Sequence, residues 1–199
     1  MTSSLILAST SVYRRELLSR LHLPFTVESP GVEETALLGE APATLALRLA
    51  RAKAQAVAQR HPGAAVIGSD QVADVDGLAV GKPGTHAAAV AQLQSLQGRR
   101  VIFQTAVAVV RCGPQAFEEA FLHPVVVRFR TLDLNEIEHY LRMEPAYDCA
   151  GSAKSEGLGI ALLDGIESHD PTALIGLPLI DTCRLLRAAG IDPLRQPAL

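Results

Sequence analysis

The sequence lacks the features that mark membrane-spanning, disordered or multidomain chains. No apolar run reaches the roughly 18 residues of a membrane helix, and no low-complexity or highly charged tract interrupts the 199 residues. Hydrophobic residues make up 48% of the chain, which is enough to bury a substantial core. Proline and glycine are spread along the length and form no linker. We therefore expect one globular domain over residues 1–199.

The sequence also has little excess charge and little cysteine. Eighteen Lys and Arg residues stand against 21 Asp and Glu residues, so the net charge is only −3. Binding of nucleic acid by broad counterion release is not expected, although a local pocket for a few phosphates is compatible with this balance. Cys112, Cys149 and Cys183 match no metal-ligand spacing and are typical of reduced thiols. Because the amino end also lacks a signal-peptide pattern, we expect a cytoplasmic protein without a membrane partner.

An apolar stretch that ends in Gly68-Ser69-Asp70 is the most informative part of the chain. Its pattern predicts a buried strand with Asp70 at an open end. The Asp76-Gly77 pair predicts a tight turn into a second short strand, which ends just before Lys82. A hairpin of this length predicts that Asp70 and Lys82 lie near one another, as the acid and base of a catalytic centre.

The amino-terminal segment predicts a strand, a hydroxyl-rich turn and a helix. Leu5–Ala8 has a buried-strand pattern, and Ser9–Ser11 comes directly before the helix. Free backbone N–H groups at such a turn, joined by the Ser9 hydroxyl and the Arg14 guanidinium, would suit a phosphate. The alternative is that the hydroxyls only cap the helix and the arginines are solvated.

Alternating periodicity predicts an α/β chain. The expected strands and helices are, in addition to those above, strands at Phe25–Ser29, Arg99–Arg111, Leu122–Arg130 and Gly159–Leu163, and helices at about Ala43–Arg60, Thr85–Leu96, Asp133–Met143 and Leu179–Ala189. Lys53 lies one step off the apolar stripe of its helix, so we expect it at the rim of the packed face. A second unusual stretch, Cys149–Gly157, surrounds one lysine and one glutamate with small residues, which allow close approach of a ligand.

Three separated motifs together resemble the Maf family of nucleotide pyrophosphatases. They are Leu7-Ala8-Ser9-Thr10-Ser11 with Arg14-Arg15, Gly68-Ser69-Asp70-Gln71-Val72 with Gly81-Lys82-Pro83, and Gly151-x-x-Lys154-Ser155-Glu156-Gly157 followed by Gly176-Leu177-Pro178. Gln71 and the Lys-Ser-Glu-Gly segment resemble the YceF-like subgroup, which hydrolyses 7-methyl-GTP. Tyr13 agrees with this subgroup, which has an aromatic residue there. Val12 departs from the pattern, since many members carry proline at that position.

The resemblance implies a fold and a reaction. The implied fold is a mixed, curved central sheet with flanking helices, forming two lobes around a nucleotide cleft, as in inosine triphosphate pyrophosphatases. The implied reaction is cleavage of a nucleoside triphosphate between its α and β phosphates, with a divalent cation such as Mg²⁺, Mn²⁺ or Co²⁺. A homodimer is common among such enzymes and is expected here.

The resemblance also implies roles for individual residues. Asp70 resembles the family's proton acceptor, with a further role in metal binding beside Glu33. The residues expected to bind the phosphates are Ser9, Arg14, Lys53, Lys82 and Lys154. Those expected to select the base are Tyr13, Gln71 and Glu156. An ionised glutamate can accept hydrogen bonds from the adjacent N1–H and N2–H groups of guanine, and a cationic 7-methylated ring favours a nearby carboxylate and an aromatic face.

Two other functions stay open at this point. The dTTP/UTP pyrophosphatase subgroup of the same family carries out the same reaction, but with a threonine in place of Gln71 and a glutamine in place of Glu156. A non-catalytic nucleotide-binding regulator of septum formation is the alternative from a different functional class. Release of pyrophosphate from a panel of nucleotides distinguishes these three functions.

Overall fold

A computed structural model describes residues 4–113 and 115–195. The described residues contain seven strands and five α-helices. They also contain short 3₁₀ turns at Ala150–Ser152, Leu158–Leu162 and Ala173–Ile175. The strands are β1 Leu5–Ala8, β2 Thr26–Glu28, β3 Ala65–Val75, β4 Leu78–Val80, β5 Arg100–Arg111, β6 Phe117–Phe129 and β7 Leu163–Glu167. The helices are α1 Val12–Ser19, α2 Pro42–Ala58, α3 His86–Leu96, α4 Leu134–Met143 and α5 Leu179–Ala188.

The strands form one mixed sheet in the order β2-β1-β3-β5-β6-β7, with β4 paired to the end of β3. β1 runs parallel to both β2 and β3, whereas β3, β5, β6 and β7 pair antiparallel. The predicted mixed sheet with flanking helices is confirmed. β3 lies in the middle of the sheet, with β5 on one side and β1 and β4 on the other, so the central part of β3 has a fixed position.

Side chains alternate between the two faces of the sheet, as the pleat requires. On β1, Ile6 and Ala8 pack with α2, whereas Leu5 and Leu7 pack with apolar residues of α1 and α5. A third cluster of buried residues joins α3 and α4 to the first half of β5 and the end of β3. β5 therefore runs through all three clusters and connects the two ends of the molecule.

Most predicted elements are confirmed to within a few residues. The Asp76-Gly77 turn has both residues at positive φ, and the Gly77 amide donates to the Asp74 carboxylate over 2.8 Å. The capping box at Asp133 and Glu136 starts α4 as expected. Within the described ranges, no helix is long and apolar enough to cross a membrane.

The strand predicted at Gly159–Leu163 is wrong. A 3₁₀ turn covers Leu158–Leu162, and the strand begins only at Leu163. The backbone at Gly159 passes so close to that of Lys154 that an added Cβ would lie 2.5 Å from the Lys154 nitrogen. This tight return of the chain on itself favours a turn, which the apolar pattern of the segment does not indicate.

Candidate active site

A cleft of about 820 Å³ crosses the molecule beside the middle of β3. Its walls come from the β1–α1 turn, the Ser29–Glu34 segment, α2, β3, the β4–α3 connection, the Asp148–Glu156 segment and the turn at Leu174–Gly176. Eight of the residues expected in the site line it, namely Ser9, Tyr13, Arg14, Lys53, Asp70, Gln71, Lys82 and Glu156. Glu33 and Lys154 are not among the lining residues.

Asp70 is held in the middle of the sheet and paired with Lys53. Asp70 is only 6% exposed and Lys53 only 4% exposed. The Lys53 Nζ donates to Asp70 Oδ1 over 2.7 Å. The sequence predicted Lys53 at the rim of the packed face of α2. Because α2 lies close to β3, Lys53 is buried instead. A Cβ at Gly68 would lie 2.2 Å from the Ala50 carbonyl oxygen, so glycine is the residue that permits this close approach.

Glu34 is the second carboxylate on Lys53. Its Oε1 lies 2.7 Å from the same Nζ, although just over half of the Glu34 side chain is exposed. Partial burial works against ionisation of Glu34, but the hydrogen bond from Lys53 and the charges of Lys82 and Arg14 outweigh it and lower the pKa of the carboxyl. Lys53 therefore joins the loop after β2 to the middle of β3.

Glu33 points its carboxylate elsewhere. It accepts hydrogen bonds from the backbone N–H of Thr35, over 3.0 Å, and from the Thr35 hydroxyl. These bonds, with the hydroxyl as the larger contributor, lower the pKa of the Glu33 carboxyl. The residue is exposed and is not part of the cleft lining. The carboxylate that lines the cleft together with Asp70 is therefore that of Glu34, and not that of Glu33 as predicted.

The donor set of the cleft fits a hard divalent cation. Among the described residues, no group of three or more His, Cys, Asp or Glu side chains could hold a metal ion by itself. Mg²⁺ is commonly bound by one or two carboxylates together with substrate phosphates, rather than by a complete protein cage. Asp70 and Glu34, which share one ammonium partner, provide such a pair.

The turn before α1 caps the helix, and its residues also line the cleft. The Ser11 hydroxyl accepts from the Arg14 amide and caps the helix, and the Ser9 hydroxyl accepts from the Ser11 amide. Arg14, however, is not free in solvent. Its Nε donates to the Gly176 carbonyl over 2.9 Å while the residue lines the cleft. Burial lowers the pKa of Arg14, with the charges of Asp70 and Glu34 opposing that shift.

Lys82 lines the cleft but is not the ion-pair partner of Asp70. The ladder between β3 and β4 ends at Ala73 and Val80, so the hairpin does not extend as far as Asp70 and Lys82. Lys82 is exposed, and it forms no hydrogen bond or ion pair with the residues that the structure describes. Its ammonium group is available to a bound anion. The partner that the sequence assigned to Lys82 is occupied by Lys53.

Lys154 lies behind the cleft lining, against Tyr13. Its Nζ is 5.6 Å from the centroid of the Tyr13 ring and 3.7 Å from Asp148 Oδ1. Burial works to lower the pKa of Lys154, but the hydrogen bond with the Tyr13 hydroxyl and the charge of Asp148 outweigh it and raise the pKa. Lys154 is therefore a cation in contact with the Tyr13 ring.

Glu156 lies on a segment that is held in place by Tyr140 of α4 and by Glu144, which directly follows the helix. The Tyr140 hydroxyl accepts from the Lys154 amide over 3.1 Å, and the Glu144 carboxylate accepts from the Gly159 amide over 3.3 Å. A Cβ at Gly157 would lie 2.3 Å from Glu144 Oε1. The Glu156 side chain is exposed, and within the described ranges it has no hydrogen bond or ion pair.

Four residues in or behind the cleft lining were given no role by the sequence analysis, although Ser69 and Gly176 belong to its motifs. Glu34 could have been chosen over Glu33 only by knowing which carboxylate turns inward. Ser69, Thr105 and Gly176 join β3 and β5 to the turn after β7. The Ser69 hydroxyl lies 2.8 Å from the Ala106 carbonyl oxygen and 2.9 Å from that of Gly176. Nothing in the local pattern around these residues signals the long-range contacts that they make.

Comparison with known proteins supports a family assignment. The family model described as Maf-like protein matches residues 4–189. A 7-methyl-GTP pyrophosphatase of Polaromonas sp. (strain JS666) is 64% identical, over 94% of this chain and 85% of the relative. Another of that name, from Albidiferax ferrireducens, is 63% identical, over 96% of this chain and 95% of the relative. A solved dITP/XTP pyrophosphatase from Mycobacterium abscessus is 20% identical, covers 93% of each chain and has a TM-score of 0.46. On the family model and the two close relatives, the chain belongs to the Maf-like protein family.

Proposed function

We propose that this protein hydrolyses 7-methyl-GTP to 7-methyl-GMP and pyrophosphate, as a pool-cleaning activity on modified nucleotides. The observation that carries the proposal is the buried Asp70–Lys53 pair at the bottom of a cleft that also contains Arg14, Lys82 and Glu156. Close relatives of the same family are named for this activity.

The cleft has the charges that a triphosphate requires. Arg14 and Lys82 are cationic groups of the lining, and the first turn of α1 adds backbone N–H groups beside Ser9. Hydrolysis breaks the bond between the bridging oxygen and one of the two phosphorus atoms, and negative charge grows on the phosphate that leaves. Donors that are already oriented stabilise this charge without reorganising. We therefore expect Ser9, Arg14 and Lys82 to bind the phosphates, with Lys53 orienting the carboxylates.

Asp70 is the proposed proton acceptor and water-orienting group. Its Oδ1 is held by Lys53, so the carboxylate keeps one orientation in the middle of the sheet. We propose that Glu34 and Asp70 would hold a divalent cation, whose chemistry is to neutralise phosphate charge and acidify water. Lys154 was expected to bind the phosphates. We propose instead that it supports the base side of the cleft, because it contacts Tyr13.

The base side of the cleft has groups that suit a cationic guanine. Tyr13 offers an aromatic face, and Glu156 offers an ionised acceptor. Both residues line the cleft. The Glu156 carboxylate has no hydrogen bond or ion pair within the described ranges. A 7-methylated ring would gain from the negative charge of Glu156, whereas an uncharged pyrimidine would not.

The experiment is a pyrophosphate-release assay with 7-methyl-GTP, GTP, dTTP and UTP, each with Mg²⁺, Mn²⁺ or Co²⁺. We expect the highest kcat/KM with 7-methyl-GTP. A higher value with dTTP or UTP would favour the other subgroup of the family. Retained nucleotide binding without release from any triphosphate would favour a non-catalytic regulator. Sedimentation of the purified protein tests the expected homodimer, and fractionation of cells tests the expected cytoplasmic location.

A further inference from the structure

The loop between β2 and α2 has no regular structure, yet it places Glu34 in the cleft. Residues 29–41 lie in neither a helix nor a strand, and Glu34 is among the lining residues. Apolar packing does not hold the tip of this loop, because Leu37 is 62% exposed and Leu38 is fully exposed. Surface loops without packing are mobile, so other contacts are needed to keep one carboxylate in a fixed place.

Arg48 of α2 supplies such contacts at two points of the loop. Its Nε donates to Glu40 Oε1 over 2.6 Å, and its Nη2 donates to Glu40 Oε2 over 2.7 Å. Two parallel bonds of this kind hold both partners in one relative orientation. The same Nη2 also donates to the Thr35 carbonyl over 3.1 Å. Because Thr35 directly follows Glu34, the guanidinium binds the backbone next to the carboxylate of the cleft.

Glu40 is the acidic partner of Arg48 and closes the loop on itself. Its side chain is only 5% exposed, and its Oε2 also accepts from the Leu37 amide over 3.0 Å. The Glu40 amide in turn donates to the Leu37 carbonyl over 3.0 Å. The hydrogen bonds from Arg48, followed by that from Leu37, lower the pKa of Glu40 to about 2. Arg48, Glu40 and the Thr35 carbonyl are called the loop brace below.

Lys53, on the same helix, is a second anchor of the loop, but it binds a different group. Its Nζ lies 2.7 Å from both the Glu34 and the Asp70 carboxylates. A divalent cation would need these same carboxylate oxygens, so it would compete with the ammonium group of Lys53. Arg48 binds only the backbone beside Glu34 and leaves the Glu34 carboxylate free. The loop brace therefore persists when the carboxylate changes its partner.

We propose that Arg48 is a positioning residue, which keeps Glu34 beside Asp70 when the Glu34 carboxylate exchanges Lys53 for a divalent cation. The inference rests on the proposed function, in which Glu34 and Asp70 hold that cation. Arg48 is not among the residues that line the cleft, so it acts on the reaction through the loop brace and not by contact with the substrate.

α2 offers a matched control for this proposal. Arg48→Met removes all three hydrogen bonds but keeps an unbranched apolar side chain on the helix. Arg51→Met removes the same charge one turn further along α2. Arg51 is exposed, and it forms no hydrogen bond or ion pair with the residues that the structure describes. Arg48→Lys keeps the charge but replaces the planar fork by a single nitrogen, so the two parallel bonds to Glu40 are lost.

The kinetic test is a Mg²⁺ titration of pyrophosphate release from 7-methyl-GTP. We expect Arg48→Met to raise the Mg²⁺ concentration for half-maximal rate about fivefold or more, the scale of lost charge-assisted hydrogen bonds. At saturating Mg²⁺, kcat should stay within about twofold of wild type, as should both quantities in Arg51→Met. Arg48→Lys should lie between Arg48→Met and wild type. An unchanged Mg²⁺ requirement in Arg48→Met, or an equal shift in Arg51→Met, would overturn the proposal.

A double variant shows whether Arg48 acts through Glu34. If it does, adding Arg48→Met to Glu34→Gln should change the Mg²⁺ requirement of Glu34→Gln by less than about twofold, because the carboxylate that the brace positions is already lost. Effects of the two substitutions that multiply would mean that Arg48 acts elsewhere, and they would contradict the assigned role.

Hydrogen exchange measured by mass spectrometry tests the loop brace without turnover. The amides of Leu37 and Glu40 are hydrogen-bonded within the loop. We expect them to exchange about tenfold faster in Arg48→Met than in wild type, and within about twofold of wild type in Arg51→Met. Exchange at the wild-type rate in Arg48→Met would show that Arg48 does not hold the loop. If wild type releases no pyrophosphate from 7-methyl-GTP, the proposed function fails, and this measurement still decides whether the brace exists.

Discussion

The two sides of the cleft are built in different ways. On the phosphate side, Asp70 and Lys53 are almost fully buried, come from a central strand and a packed helix, and are joined over 2.7 Å. On the base side, Glu156 is exposed, lies between two 3₁₀ turns, and has no hydrogen bond or ion pair in the described ranges.

This difference matches the task proposed for each side. Orienting a water molecule and stabilising charge require groups that do not move during the reaction, which a sheet and its packed helix provide. Choosing a base requires groups that stay unpaired until the substrate arrives. Glu156 is such a group, and Gln71 lies at the boundary, with its donors used by the fold and its acceptor left free.

The largest effect is expected on the phosphate side, at Asp70. Asp70→Asn keeps the size of the side chain but removes the proton acceptor and one negative charge from Lys53. We expect kcat to fall about a hundredfold or more, the scale of a lost general base. Pyrophosphate release measures the effect, and circular dichroism should show the secondary structure of wild type. Near-normal turnover would remove Asp70 from the centre of the mechanism.

The adjacent glutamates of the Gly31–Glu34 segment provide a matched pair. Glu34→Gln weakens the site shared with Asp70, so the Mg²⁺ concentration for half-maximal rate should rise about tenfold, the scale of a lost charge-assisted contact. Glu33→Gln changes an exposed group that contacts Thr35, and we expect a change below about twofold. Metal titrations of both variants measure this. A larger effect at Glu33 than at Glu34 would return the metal-binding role to Glu33.

On the base side, Glu156→Gln should change the choice of substrate more than the rate. The amide keeps one acceptor but loses the charge that favours a cationic 7-methylated ring. We expect the ratio of kcat/KM for 7-methyl-GTP to that for dTTP to fall about tenfold. The same assay with Asp70→Asn serves as the contrast, because that variant should lose activity on both substrates alike. An unchanged substrate ranking would show that Glu156 does not read the base.

The smallest effect is expected at Val12, where the helix next to the phosphate side begins. Val12 is the first residue of α1, and Ser11 before it is extended, with φ −72° and ψ 122°, which proline tolerates in its predecessor. Val12→Pro should restrict the unfolded chain and raise Tm by about 1–3 °C. Calorimetry measures the shift. A lower Tm would mean that the Val12 side chain contributes packing that its exposure does not suggest.

The sequence by itself determined most of the secondary structure. Apolar runs, the Asp76-Gly77 turn and the Asp133 capping box act through neighbours a few residues away, so their positions are read from the chain directly. The separated motifs also indicated the family, and eight of the ten residues expected in the site line the cleft. The strand expected at Gly159–Leu163 was wrong because a close backbone contact, rather than local preference, shapes that segment into a turn.

Only the tertiary structure decided which charges and hydrogen bonds meet. Asp70 pairs with Lys53 and not with Lys82, because α2 packs against Gly68 and carries the lysine inward. Glu34 enters the cleft while the adjacent Glu33 turns to Thr35. Gln71 offers the cleft an oxygen because Thr105, 34 residues away along the chain, and a more distant turn use its hydrogens. Such contacts depend on distances between elements far apart in the chain, and no local pattern encodes those distances.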